Sequence, residues 1–307
     1  MCIRKSKEEI RFVIKVIIGI DDTDNQVSRG TGSIATEMCE MIADRNWGTC
    51  GVVTRHQLYL HPDIAYTSHN SAMIFDAEVR EEIWDELRET LTTYIHEESA
   101  EGSDPGICMG VISQIKETQK LIEFGYSAKR QVRTKDEAYA LAKLCGLSLT
   151  EEGGTGIGVI GALAGVGLRY EGNDGEVKGS LGGYQKNDVV LVKDLLQEAY
   201  ITRVCNKALE DIPEHTPIRI HWRVKPMLSK GKPILLVQQD EAGTWSTLSK
   251  ENIREFSETR TNTAPCKLFD TYVEEEQVEE KQHGESCFNC RYRRWTEQAF
   301  TCMKGKR

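Results

Sequence analysis

Apolar and β-branched residues run almost unbroken from Phe12 to Ile20, which predicts a buried strand. From Gly32 to Trp47 the residues Ile34, Ala35, Met38, Met41 and Ile42 fall on one face of a helix. Cys50–Leu60 and Ser71–Val79 read as strands around an irregular loop, and residues 81–96 as an amphipathic helix carrying Ile83, Leu87, Leu91 and Tyr94. Thr134 and Glu137 have capping-box spacing ahead of a helix that Gly146 stops. The run from Ile157 to Gly167, all small or apolar, reads as a tightly packed buried helix. Beyond it, Val189, Val190, Val192, Leu195 and Leu196 predict an amphipathic helix over 188–200. Ile218–Val224 and Pro233–Gln238 predict strands joined by the turn Ser229-Lys230-Gly231-Lys232, and Ser249 starts a short helix with Ile253 and Phe256. Intermixed strands and helices make this an α/β (α+β) chain.

The polar residues that interrupt this pattern are most concentrated at the end of the first strand. Asp21, Asp22 and Asp24 follow it directly, then the turn Arg29-Gly30-Thr31-Gly32, with Ser33 as N-cap of the next helix. Ligands of open α/β sheets bind beyond strand ends, and helix N-termini attract anions. Carboxylates there repel a bare phosphate but suit one that arrives with a divalent ion, since Mg²⁺ takes hard oxygen ligands. The stretch therefore reads as a Mg-nucleotide site, with Asp21 and Asp24 on the metal; the plainer alternative is an acidic turn ahead of a capped helix. No lysine of the Walker type follows the glycines, and no EF-hand spacing is present. Arg55 is a candidate phosphate clamp and Asn70 a candidate base or ribose contact. Gly154 and Gly156 belong to a second glycine-rich stretch, where backbone amides can approach phosphate or where small residues serve packing alone. His61 and His69 lack acidic partners at metal-site spacing and are not read as ligands.

Composition narrows the class. The chain has 307 residues, 39% hydrophobic and 28% charged, enough for two or three ordinary domains. No apolar run has membrane-spanning length and the charged N-terminus has no signal-peptide core, so a cytoplasmic protein with no membrane partner is expected. A formal charge of −9 excludes a basic surface over the whole chain while leaving room for a local basic groove. Cys2, Cys39, Cys50, Cys108, Cys145 and Cys205 are scattered in apolar or helical contexts, as buried thiols are in a reducing compartment. Cys287 and Cys290 form a C-x-x-C that Cys302 and Cys266 complete to four thiolates, a set that zinc and a [4Fe–4S] cluster both accept. One C-x-x-C with distant single cysteines is closer to the iron–sulfur pattern than to a two-knuckle zinc ribbon; a redox-active or unpaired C-x-x-C is the remaining alternative. Arg291, Arg293 and Arg294 with Tyr292 and Trp295 would suit RNA or a protein partner beside it.

Together, the motif from Ile18 to Asp24, the Arg-Gly-Thr-Gly-Ser turn, the stretch from Arg55 to Ile64, the Asn70-Ser71-Ala72 triplet and the run from Gly154 to Gly167 resemble the archaeal tRNA-isoleucine agmatinylcytidine synthetases over about residues 12–185. The resemblance implies a kinase-like synthetase module with a ferredoxin-like insertion. It implies ATP- and Mg²⁺-dependent activation of an oxygen by phosphoryl transfer on tRNA, with Asp21, Asp22 and Asp24 on metal and phosphoryl group and Ser33 at or next to an autophosphorylated threonine. The family's K-x-R-x-N is here Tyr66 to Asn70, and the C-terminal residues differ from its OB-fold and zinc ribbon. The expected division is 1–186 for the ATP-binding module, 187–262 for a small α/β extension and 263–307 for a cysteine-rich metal-binding tail. The alternative function is an ATP-linked iron–sulfur accessory or maturation protein that acts on a protein partner.

Overall fold

The computed structural model describes residues 12–25, 27–62, 64, 70–179, 183–249 and 252–253, and the backbone of 293–295 and 300–302. The chain opens with β1 (Val13–Asp21), α1 (Thr31–Asp44), β2 (Gly48–Cys50), β3 (Thr54–Gln57), β4 (Ser71–Arg80), α2 (Trp84–Glu98) and β5 (Gly106–Val111). β1 lies between β4 and β5 and pairs antiparallel with both, and β3 extends the sheet beyond β4. This β-α-β-β-α-β order with strands in the sequence β5-β1-β4-β3 is the ferredoxin-like arrangement. This arrangement bears the acidic loop at the end of its first strand.

The alternation along β1 separates two cores. Val16, Ile18 and Ile20 pack with Ile34, Ala35, Met38 and Ile42 of α1 and Leu87, Leu91 and Ile95 of α2. Ile17 faces the other side, where it meets Leu121 and Phe124 of α3 (Thr118–Ser127), Ala138 and Ala142 of α4 (Lys135–Cys145) and the small residues of α5 (Gly158–Glu171). Between α4 and α5, β6 (Ser148–Glu151) adds an edge strand to β5. α4 starts at the expected capping box, with Thr134 and Glu137 bonded reciprocally, and stops at Gly146 in the left-handed conformation. α5 is the buried helix read from Ile157–Gly167, and it lies across β1, β4 and β5.

Several expected elements differ. The Cys50–Leu60 strand is instead the two short strands β2 and β3, both on β4, because Gly51 to Val53 break the pairing between them. The helix expected over 188–200 is β8 (Val189–Leu191) followed by the single turn α6 (Val192–Leu195). Consecutive β-branched residues favour the strand, and Val190 pairs with Ile218 of β10 (Pro217–Arg219), which is shorter than the strand expected there. The sheet continues through β7 (Glu176–Val177), which joins β3 to β11 (Met227–Ser229). β11 and β12 (Lys232–Gln239) form a hairpin around Lys230-Gly231, so the turn read in the sequence closes these two strands. β9 (Arg203–Cys205), β13 (Trp245–Thr247), β10 and β8 complete a sheet of 13 strands among the described residues. Pairing thus crosses residue 186, while Val192, Leu195, Val204, Ile218, Leu235 and Val237 form a separate hydrophobic cluster beyond it. The strands β14 (Arg293–Trp295) and β15 (Phe300–Cys302) pair with each other. Among the described residues no helix is long and apolar enough to cross a membrane.

Candidate functional site

β1 delivers its last residue, Asp21, to the mouth of a cleft between the starts of α1 and α5. The cleft is lined by Asp21, Asp22, Asp24, Gly30, Thr31, Gly32, Arg55 and Asn70 from the sequence-derived set. The rest of the lining is Leu58, Ile64, Ser71, Met73, Ala128, Gln131, Val132, Arg133, Ile157, Gly158, Ile160 and Gly161, largely apolar.

Asp21 is only 9% exposed, and its Oδ1 accepts the Asp22 N–H at 2.9 Å. Burial, and then the neighbouring Asp22 and Asp24, push its pKa well above the ordinary aspartate value. Asp22 stands in the left-handed region at φ 54°, which turns the chain sharply out of the strand. Asp24 is tied to the helix: Thr31 donates its hydroxyl to Asp24 Oδ1 at 3.0 Å and accepts one from buried Thr23 at 3.0 Å. The loop that follows is closed by Asn25, whose side chain accepts the amides of Val27 and Ser28.

That anchorage moves the helix start. α1 begins at Thr31 with Gly30 as N-cap and no side-chain cap, so Ser33 is not the cap expected from sequence. Ser33 sits inside the first turn, its amide donating to the Gly30 carbonyl, and it does not belong to the cleft lining. The first turn therefore reaches the cleft through Gly30, Thr31 and Gly32.

The start of α5 closes the other side. A Cβ at Gly161 would stand 1.7 Å from Asp21 Oδ2, so only glycine lets the helix pass over that carboxylate. Gly154 and Gly156, both at positive φ, stand outside the lining. The space beside them is filled by protein: Asp104 Oδ1 lies 2.2 Å from a Cβ built on Gly154 and Glu151 Oε2 2.1 Å from one on Gly156. Asp104 also accepts the Thr155 amide, and Glu151 is held by Lys135 and Tyr139, each at 2.7 Å.

Two arginines line the cleft. Arg55 on β3 donates to Glu176 at 3.3 Å. Arg133 stands outside the sequence-derived set. It lies over the Phe124 ring at 5.2 Å and bonds Ser127 and Glu137. The signal for it was the basic run Lys129-Arg130-Gln131-Val132-Arg133 just ahead of the α4 capping box. Asn70 spends its side-chain amide on the Tyr59 carbonyl at 2.7 Å and so fixes the edge of the cleft. His61 stacks with Tyr59 at 5.3 Å between ring centroids; His69 lies outside the described residues.

Behind the cleft, Asp174, His56 and Thr54 form a buried line, with His56 Nδ1 3.0 Å from Asp174 and Nε2 2.8 Å from Thr54 Oγ1. It resembles a nucleophile relay, but His56 and Thr54 are fully buried and no substrate reaches them. Burial holds the His56 pKa below its ordinary value, while Lys129 and His56 together hold Asp174 well below the usual carboxylate range against its burial. The network is a satisfied polar core under β3.

Among the described residues no three His, Cys, Asp or Glu side chains converge as a ready-made metal site. Cys266, Cys287 and Cys290 lie outside the described residues, as does the side chain of Cys302, whose backbone is in β15. Cys108, Cys145 and Cys205 are buried, as read from sequence, and Cys39 and Cys50 are half-buried.

No protein-family model matches the chain, nor does any curated protein. Among solved structures it is similar to apo TiaS, an agmatidine synthetase for an isoleucine tRNA, at 28% identity and a TM-score of 0.42, over 50% of this chain and 35% of that one. It is similar to TiaS in complex with that tRNA and ATP at 29% identity and a TM-score of 0.43, over 50% of this chain and 36% of that one. A tRNA fluorescent labeling enzyme is similar at 30% identity and a TM-score of 0.42, over 50% and 36%. The chain spans about a third of the length of these structures.

Proposed function

We propose that the chain is an ATP-dependent enzyme that binds a Mg-nucleotide in the cleft and activates an oxygen of an RNA substrate, with tRNA the leading candidate, by phosphoryl transfer. The observation that carries this reading is the meeting of Asp21, Asp22 and Asp24 with the first turn of α1 and Arg55 in one cleft. The motifs shared with the tRNA agmatinylcytidine synthetases supply the reaction class and the RNA.

The residues fit the metal that such a reaction uses. Three carboxylates line one cleft, and Asp21 among them is buried and raised in pKa by that burial and by Asp22 and Asp24. Magnesium keeps waters and takes one or two carboxylates together with phosphate oxygens. Asp21 and Asp24 would hold it, and it would neutralise charge developing on the phosphates. The chain itself supplies positioning, which is most of what phosphoryl transfer requires. Thr31 orients the Asp24 carboxylate, the α1 first turn and Arg55 face the phosphates, and the apolar lining takes the base and excludes water.

Asp22→Asn tests this. Asparagine tolerates the left-handed backbone, so the fold should persist while RNA-stimulated ATP turnover drops by about a hundredfold or more, the scale of lost electrostatic stabilisation. Unchanged turnover at wild-type stability would remove the Mg-nucleotide assignment. Wild-type turnover that neither tRNA nor total RNA stimulates would remove RNA as the substrate.

A further inference from the structure

Arg55 reaches the cleft from β3, and what holds it there comes from the far part of the sheet. Glu176 pairs across the β3–β7 ladder with Arg55 and across the β7–β11 ladder with Met227, so its backbone joins both parts of the sheet. Its side chain repeats the connection. One oxygen, Oε2, is 3.3 Å from the Arg55 guanidinium and 3.7 Å from the Lys225 ammonium. Lys225 is fixed in turn, since its Nζ donates to the Gly179 carbonyl at 2.9 Å and its side chain is 13% exposed. Burial lowers its pKa, and Glu176 is the carboxylate that opposes the shift.

Resting on the nucleotide reading above, we infer that Glu176 is a positioning residue for Arg55, and that Lys225 acts on the anion-binding end of the cleft through it. The Arg55–Glu176 contact is long for a charge-assisted hydrogen bond, which favours about 2.7–2.9 Å. Arg55 is therefore aimed by Glu176 without being locked to it. When a phosphate in the cleft draws the guanidinium away, Lys225 keeps the half-buried Glu176 carboxylate neutralised. Without Lys225 the same movement strands a carboxylate, and Arg55 stays on Glu176. The segment leading into β11 thus sets how freely the cleft's arginine can serve a phosphate.

The test is a double-mutant cycle on the full chain, read by titration with MgATP and by competition with adenosine, which offers Arg55 no phosphate. Glu176→Gln should weaken MgATP by about tenfold, the scale of one charge-assisted contact. Lys225→Met should weaken it by about threefold, Lys225→Arg should restore it, and Lys225→Met should add nothing in the Glu176→Gln background. Adenosine affinity should not change in any variant. Additive effects, or equal losses for adenosine and MgATP, would overturn the inference, because a merely structural role produces both. Failure of the wild-type chain to bind MgATP would overturn the nucleotide reading itself. Should Glu176→Gln not fold, the Lys225→Met and Lys225→Arg pair decides by the MgATP-to-adenosine contrast alone.

Discussion

Two glycine-bearing turns among the described residues each lead into a helix of 14 residues, and they use glycine for different ends. At residues 29–32, Gly30 and Gly32 line the cleft, and a Cβ on Gly30 would meet only Asp24 Oδ2, at 3.7 Å. At residues 153–158, Gly154 and Gly156 are pressed by Asp104 and Glu151 of the protein itself, and of the glycines only Gly158 reaches the lining, beside Ile157. At Gly30 the first turn leaves room for a ligand, whereas the Lys178 side chain stands 3.1 Å from a Cβ built on Gly32; at Gly154 and Gly156 the second turn is full. Glycine in a loop thus says that something comes close, and the occupant of the missing Cβ's space says whether it is ligand or protein.

The largest effect should come where α5 meets the acidic loop. Gly161→Ala sets a methyl against Asp21 Oδ2 and should cost about 3 kcal/mol of stability and abolish MgATP binding. Thermal unfolding with nucleotide titration checks it, and a variant of wild-type stability would mean that the helix does not press on Asp21. Next, Asp104→Ala removes the acceptor that clasps the second turn and should cost about 2 kcal/mol in urea unfolding, with MgATP affinity close to wild type. A selective loss of nucleotide there would make the second turn a ligand site and erase the contrast. Gly30→Ala should do the reverse. Its backbone, at φ −72° and ψ 156°, accepts alanine, so stability should fall by no more than about 1 kcal/mol for the poorer N-cap while MgATP weakens by about tenfold. Smallest of all, Thr134→Ala should cost about 1 kcal/mol by removing the α4 cap, with no change in nucleotide affinity.

Much of the N-terminal half was legible because its signals are local. The Phe12–Ile20 run, the α1 and α2 faces and the Thr134 box depend on neighbours a few residues away, and those elements stand where the pattern put them. β5 was not anticipated. Its residues Gly106–Val111 are all buried between β1 and β6, and a short strand covered on both faces has no alternation to read. The stretch 188–200 misled for a related reason. Its apolar residues fit a helix face, but Val190 pairs with Ile218, a partner remote in sequence. Arg133 is not legible as a cleft residue, because its helix-capping neighbourhood explains a cation just as well as a cleft does.

By itself, the sequence determined that an apolar strand ends in three carboxylates and leads through a glycine turn into a helix, since each of those features is set by residue types in immediate succession. Tertiary structure alone decided which groups share that site. Asp21 meets Gly161 across 140 positions of chain, Thr31 bonds Asp24 while Ser33 stands outside the lining, and Arg55 is aimed by Glu176 from a strand laid down later. Such choices depend on packing distance and on competition for each hydrogen-bonding group, and neither is written in local residue order.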